Sequence, residues 1–316
     1  MLAFQFKQME KSSTSPLAPH YALLGVQLMF GSFPVAGKIA LQAFPSFTIV
    51  GFRVAGAAVA FLALQLLTGT LRLERHSDYW RLALYAMLGV TFNQILSVTG
   101  LSLTTASNSA LLAAMMPVFV AIISSIFGFD KLNWYKAGGI LIAASGVIYL
   151  INPAQADFSA QHIKGDLMIV INGLCYAAYL AISKDTIARN GALRSLAWLF
   201  LFGSVICVPL GAYSFSSVDS SQVGTTAWLT LAYIVLIPTI GAYYLNAWAL
   251  ARVSPSTVAV YIYLQPLIGF LLAVLFLGEP FTSKSIIAAA LIFVGVFFVT
   301  RKTDWEKNRI LHTTSP

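Results

Sequence analysis

The chain has 316 residues, 58% of them hydrophobic and 9% charged, with a mean hydropathy of +0.80. So few charged side chains cannot coat a soluble globule, and lipid is the expected solvent for most of the chain. A formal charge of +8 would otherwise point to nucleic acid, but its placement along the chain gives it another origin.

Residues 1–19 lack the order of basic residues, apolar core and small-residue cleavage site of a signal peptide, so the first apolar run is expected to stay in the protein. A bilayer core of about 30 Å is crossed by about 20 apolar residues in a helix. Apolar windows bounded by Gly, Pro or charge predict spans over 20–40, 46–68, 80–102, 106–127 and 134–151, then 166–184, 194–213, 226–250, 255–277 and 282–300. Lipid offers backbone amides no partners, and these runs lack the alternation of a transmembrane barrel, so an all-α integral membrane protein is expected. Between the fifth and sixth spans, NPAQADFSAQHIKG (152–165) is polar, carries Pro and Gly, and reads as a linker.

Ten crossings divide the charge unequally. Fifteen of the 19 Lys and Arg residues fall on the side that holds both termini, three (Lys38, Lys164, Lys284) on the other, and Arg53 lies within a span. The positive-inside rule then places both tails, 1–19 and 301–316, in the cytoplasm, and the basic balance needs no nucleic acid. Cys175 and Cys207 lie inside apolar runs, where thiols behave as small hydrophobes, so no disulfide, metal site or cofactor is expected.

The second half repeats the first. An offset of 149 lays Leu101 on Leu250, Ala110 on Ala259, Pro117 on Pro266, Asp130 on Glu279 and Gly146 on Gly295, and an offset of 146 lays Lys38 on Lys184. The units are 20–151 and 166–300, with five spans each. An odd number of crossings makes the second unit start on the opposite face, so the repeat is inverted. This is the usual architecture of alternating-access carriers, which hold substrate near the midplane between halves.

The span 1 ending FGSFPVAGKIAL, the span 2 pattern PSFTIVGFRVAGA with Arg53, the Thr/Ala/Ser-rich stretch before Pro117, and LQPLIGFLLAVLFLGEPFT across spans 9 and 10 stand in an order that resembles one family. It is the drug/metabolite transporter superfamily, and within it the EamA type of ten-span exporter. The resemblance runs from Ala22 to Thr300 and implies export of a small metabolite. The chain departs from the family pattern at Phe30, where a Trp often precedes the Gly, and at Asp130 within GFDKL, where Gly-Glu is commoner.

Polar residues at membrane depth normally face protein or a water-filled cavity. Asn172, Tyr176, Tyr179 and Ser183 follow helical spacing on one face of span 6, and the repeat sets Tyr176 and Tyr179 against Phe30 and Phe33. Gln94 and Ser97 of span 3 fall on Tyr243 and Asn246 of span 8, while Asn108, Tyr261 and Gln265 add polar groups from spans 4 and 9. Each, taken singly, also reads as a helix-to-helix hydrogen bond or an interfacial ring. Together they suggest a cavity for a ligand with an apolar body and hydrogen-bonding ends, such as an amino acid.

Lys38 and Lys184 near opposite faces read as interface anchors or as gate charges for a carboxylate, and Arg53 is shallow enough to snorkel, in a structural role ahead of substrate binding. Asp130 and Glu279, each placed just past a span's end, are expected to serve the N-terminus of the following helix. Pro34, Pro117, Pro238 and Pro266 should kink their spans, and the small residues of AGGILIAASG should let helices pack closely. An intramembrane enzyme is the first rival reading, but no HExxH, GxSxG or paired intramembrane carboxylates occur, and the four histidines fall at span edges, loops or tails. A channel- or receptor-like protein is the second. The expected partners are a small metabolite and the lipid bilayer of the plasma membrane, the inner membrane in a bacterium, with a homodimer left open.

Overall fold

The structure is a computed structural model and describes residues 17–126, 134–151, 161–253, 258, 261–262, 264–280 and 282–300. Among these the regular structure is helical. The first half holds α1 (Ala18–Ala40), α2 (Ser46–Thr68), α3 (His76–Leu103), α4 in two pieces (Ala106–Ala113 and Met116–Ile126) and α5 (Trp134–Ile151). The second holds α6 (Gln161–Asn190), α7 (Ala192–Phe215), α8 (Thr225–Leu250), α9 (Leu264–Leu277), preceded by helical Tyr261 and Ile262, and α10 (Ser283–Thr300). Seven helices are long and apolar enough to cross a membrane, and three shorter apolar helices lie within α5, α9 and α10. These account for the ten predicted spans. The end of the bundle where α1 begins is the near end, and the opposite one the far end.

Local chemistry sets the helix limits. Pro19 occupies the first turn of α1, where a missing N–H costs nothing, and Lys38 sits in its last turn against the negative end of the helix dipole. Thr105 caps α4 by accepting from the Asn108 N–H at 3.0 Å. Gly191, at φ +83°, supplies the left-handed turn between α6 and α7. α3 and α6 extend beyond their predicted spans because hydropathy windows stop at the first polar residues, whereas a helix continues into the interface. Gln161–Gly165, expected in the linker, therefore belong to α6; residues 152–160 lie outside the described residues.

The most extensive helix contacts join the two halves: α2 with α7, α5 with α10, α3 with α6, α1 with α9, and α4 with α9. α2/α7, α5/α10 and α4/α9 are repeat mates facing each other. The α3–α6 contact has its counterpart in α8–α1. That pattern is a pseudo-two-fold relation between halves. A further sign is unprompted by sequence: each half carries one wide, π-type turn, Met87–Phe92 in α3 and Leu236–Gly241 in α8, at positions that the 149 offset superimposes.

Close approach depends on small residues. A Cβ on Gly51 would stand 2.7 Å from the Gly211 Cα, so α2 and α7 touch backbone to backbone. On α5, Gly146 meets Leu291 and Ile292, and Gly139 and Ala143 meet Gly295; Gly138 has nothing within 4 Å among the described residues and Ser145 is exposed. Pro34 lies inside an unbroken α1, Pro238 falls within the π turn of α8, Pro117 follows the break in α4, and Pro266 is carried within α9. Trp80 and Trp134 project from the near end at 82% and 92% exposure, where indole suits a membrane interface.

Gly51→Ala should therefore cost about 1–3 kcal/mol through overpacking against a backbone that cannot yield. A lower melting temperature in detergent is the expected result, while Gly25→Ala, with open space around it, should melt no lower than wild type.

Candidate functional site

The two π turns prepare the centre of the bundle. A π turn frees a carbonyl from the α-helical ladder, and in the absence of water the protein must satisfy it. In α3 the Gly89 carbonyl accepts from the Tyr243 hydroxyl at 3.2 Å. In α8 the Thr239 hydroxyl donates to the Ile234 carbonyl five residues back, at 2.8 Å, and accepts from Arg53 Nε at 2.9 Å. Each wide turn thus fixes a side chain from elsewhere in the molecule.

Tyr243 is the hub. Its hydroxyl accepts from Gln94 Nε2 at 3.1 Å and shares its one proton between the Gly89 carbonyl and Asn93 Oδ1, the latter at 2.9 Å, and its ring stands edge-on to Phe30 and Phe200 at 5.7 and 5.1 Å. Gln94 and Tyr243 are repeat mates, so the pseudo-two-fold axis passes between them. Asn93 Nδ2 donates onward to Asn172 Oδ1 at 2.7 Å, and Asn246 Nδ2 donates to the Tyr176 hydroxyl at 3.0 Å. These bonds tie α3 and α8 to α6 and hold four polar side chains in fixed orientations.

They surround a cavity midway along the helices. α1 contributes Gln27, Phe30 and Phe33, α2 Arg53, α3 Asn93 and Ser97, and α4 Met116; from the second half come Asn172 and Tyr176 of α6, Tyr243 and Asn246 of α8, Ile262 and Gln265. The centre of a water molecule has ≈ 70 Å³ there, against about 10–15 Å³ needed to hold one water. Both halves build the wall, and its chemistry is aromatic rings, amides and one guanidinium.

Of the residues singled out from sequence for a cavity, Phe30, Phe33, Ser97, Asn172, Tyr176, Tyr243, Asn246 and Gln265 come together in this wall. Arg53, expected as a shallow charge that snorkels to the interface, stands instead on the same wall and is buried, because Thr239 of the α8 π turn and the Phe33 ring hold its guanidinium inward. Gln94 is buried one layer behind, bonded to Tyr243. Tyr179 packs on Tyr176 with ring centroids 5.6 Å apart, and its ring fills the space over Gly89, where a Cβ would meet it at 2.7 Å. Its repeat mate Phe33 lies under the Arg53 guanidinium and remains on the cavity wall. Gln27, Met116 and Ile262 join the wall without a signal in the sequence pattern. Asn93 also joins it: it stands four residues before Ser97 in the same regular stretch of α3, a one-face spacing that could have found it, whereas the repeat pairing with Tyr243 points to Gln94.

The other candidates lie toward the bundle's ends. Tyr261 bonds His20 at 2.8 Å, and Lys184 is half-buried near the same end. At the far end Asn108 Nδ2 donates to Asp166 at 3.3 Å, the Thr104 hydroxyl donates to the same carboxylate, and Lys38 lies within electrostatic range of Glu279. Glu279 corrects an expectation. Its carboxylate accepts from the Ala106 and Ser107 N–H groups at 2.8 and 2.9 Å, capping α4 of the other half instead of α10, because the fold brings the positive end of α4 against the loop after α9. Asp130, its mate, lies outside the described residues.

At the near end a second bridge joins the halves. The fully buried Asp78 carboxylate accepts from Arg189 Nη2 at 2.6 Å, from Arg189 Nε at 3.1 Å and from Asn190 Nδ2 at 2.8 Å. The Glu74 N–H donates to Asn190 Oδ1 at 2.9 Å, and Trp198 Nε1 donates to the Leu71 carbonyl at 2.8 Å. In the sequence Arg189 reads only as a marker of topology; its partner Asp78 gives no signal, lying outside the predicted span.

Comparison with known proteins agrees with this architecture. An uncharacterized transporter of Archaeoglobus fulgidus is 25% identical over 285 residues, covering 90% of this chain and 97% of that protein. A protein of Streptantibioticus cattleyicolor named a probable terminal-alkyne amino-acid exporter is 26% identical over 271 residues, 83% of this chain and 90% of its own. A crystal structure sharing 17% identity superimposes at a TM-score of 0.64 over 90% of this chain and 98% of that one, a likeness of fold. The EamA-like transporter family matches residues 18–152 and 163–301, one copy in each half, and the chain belongs to that family.

Proposed function

We propose that this transporter is a secondary carrier that exports a small, amino-acid-like metabolite by alternating access at the central cavity. One observation carries the reading: the cavity lies midway along the helices between two pseudo-symmetric halves, and both halves line it. A site on the axis can be exposed to either face by rocking one half against the other. Rings of Phe30, Phe33, Tyr176 and Tyr243 suit an apolar body, while Asn172, Asn246 and Gln265 offer hydrogen bonds. The Streptantibioticus relative, named as an amino-acid exporter, favours this substrate class. The charge distribution favours a plasma-membrane orientation with both termini in the cytoplasm, which makes the near end the cytoplasmic one and the domain units 20–151 and 166–300. Binding and release need no catalytic residue.

Purified protein in liposomes, offered a panel of labelled amino acids with and without a proton gradient, tests this directly. Tyr176→Ala and Asn246→Ala should each lower uptake of an accepted substrate about tenfold, the loss of one hydrogen bond or one stacked ring being worth about 1–2 kcal/mol. Tyr213→Ala, at the exposed surface, should match wild type. Full uptake by both cavity variants would remove the cavity from the mechanism.

The end bridges give a second test. Asp78→Asn weakens the near-end bridge and Glu279→Gln the far-end cap; each should favour opening at its own end, by about tenfold if one charge-assisted bond of about 1.5 kcal/mol is lost. Ser97→Cys, in a chain whose two native cysteines are replaced, reports this through labelling by an impermeant maleimide applied to one membrane face at a time. The two variants should shift labelling in opposite directions; a common direction would contradict alternating access.

A further inference from the structure

Arg53 brings a charge to a cavity wall on which no carboxylate stands among the described residues. It is 3% exposed. Thr239 holds Nε at 2.9 Å, and the Phe33 ring lies beneath the guanidinium, 4.1 Å from centroid to Cζ. Those two contacts fix the plane of the fork but leave it incomplete, because Nη1 is buried without a hydrogen-bond partner among the described residues.

An arginine stays protonated in a protein, and an uncompensated charge at membrane depth is costly. The buried carboxylates of the described residues are engaged elsewhere: Asp78 with Arg189 and Asn190, Asp166 with Thr104 and Asn108. A donor so placed is matched by an anion that arrives and leaves. The guanidinium fork fits a carboxylate better than it fits any neutral acceptor. Gln27 Oε1 on the same wall is likewise buried without a partner among the described residues, an acceptor suited to an ammonium group. Phe30, Met116 and Ile262 supply apolar surface between these polar groups.

We infer that Arg53 is the anchor for the substrate's carboxylate, so the cavity selects small carboxylate-bearing molecules with an apolar side chain over their neutral-amide and amine analogues. The inference rests on the reading of this cavity as the transport site.

Its test uses matched probes in proteoliposomes: phenylalanine, phenylalaninamide and phenethylamine, with leucine and leucinamide as a smaller pair, each competing against uptake of the labelled acid. Wild type should prefer the acid over its amide by about tenfold or more, as expected when a charge-assisted bond is replaced by a neutral one. Arg53→Gln should abolish that preference and Arg53→Lys should keep part of it, with melting temperatures showing that both variants are folded. Equal handling of acid and amide by wild type overturns the anchor without help from any variant, and so does a preference that survives Arg53→Gln. Absence of uptake for every probe, charged or neutral, overturns the transport reading of the cavity and the anchor with it, an outcome distinct from the first two.

Discussion

Lipid gives a backbone amide nothing to bond to, so every departure from the α-helical ladder inside this bundle has to be answered by another protein group. The two π turns are such departures, and the answers to them organise the site. The Gly89 carbonyl takes the Tyr243 hydroxyl, which places that ring at the centre and draws Gln94 and Asn93 to it. The Ile234 carbonyl takes the Thr239 hydroxyl, whose oxygen then orients Arg53. A backbone defect in each half thus becomes a positioning device for a side chain that the defect itself does not carry. Because the two turns are repeat mates, the devices stand on both sides of one pseudo-two-fold axis, and the space between them is the cavity.

The same axis explains what the sequence disclosed and what it hid. Pass number and helix type follow from hydropathy, since a span's length is imposed by the bilayer and not by its neighbours. The register of the repeat was equally legible, because Pro117 with Pro266 and Gly146 with Gly295 mark positions where backbone geometry leaves few alternatives. It also paired Ser97 with Asn246, both of which reach the cavity wall. Facing was less legible. Asn93 and Gln94 are adjacent polar residues after the π turn; Gln94 bonds Tyr243 behind the wall, and Asn93, on the same face as Ser97, takes the place on it. Tyr179, expected on the wall, lies off it for a different cause, the absence of a side chain on Gly89 in another helix, which no periodicity within α6 can report.

Polar residues near helix ends were the hardest to assign. Glu279 looks like a residue serving its own neighbourhood, yet its partners are the Ala106 and Ser107 N–H groups in the opposite half. Arg189 looks like one more cytoplasmic cation, yet it forms a two-pronged bond with a buried aspartate. In both cases the partner is supplied by the tertiary arrangement, and a rule written for loop charges sees only the sign and the side.

These end contacts also separate the two halves chemically where the backbone makes them alike. Two identical units related by an axis in the membrane plane would give a bundle whose ends are equivalent, and whose opening at either end would cost the same. Here the near end is held by a charged pair, Asp78 with Arg189, reinforced by Asn190, whereas the far end is held by a carboxylate on two backbone N–H groups and by Asp166 on a hydroxyl and an amide. The first is a direct two-pronged ion pair, whereas the second rests its carboxylates on neutral donors with Lys38 only within electrostatic range of Glu279, so they respond differently to hydration and ionic strength. An inverted duplication built with such unequal fastenings has a preferred state, and that preference resides in a few polar side chains at the ends, not in the fold that the repeat dictates.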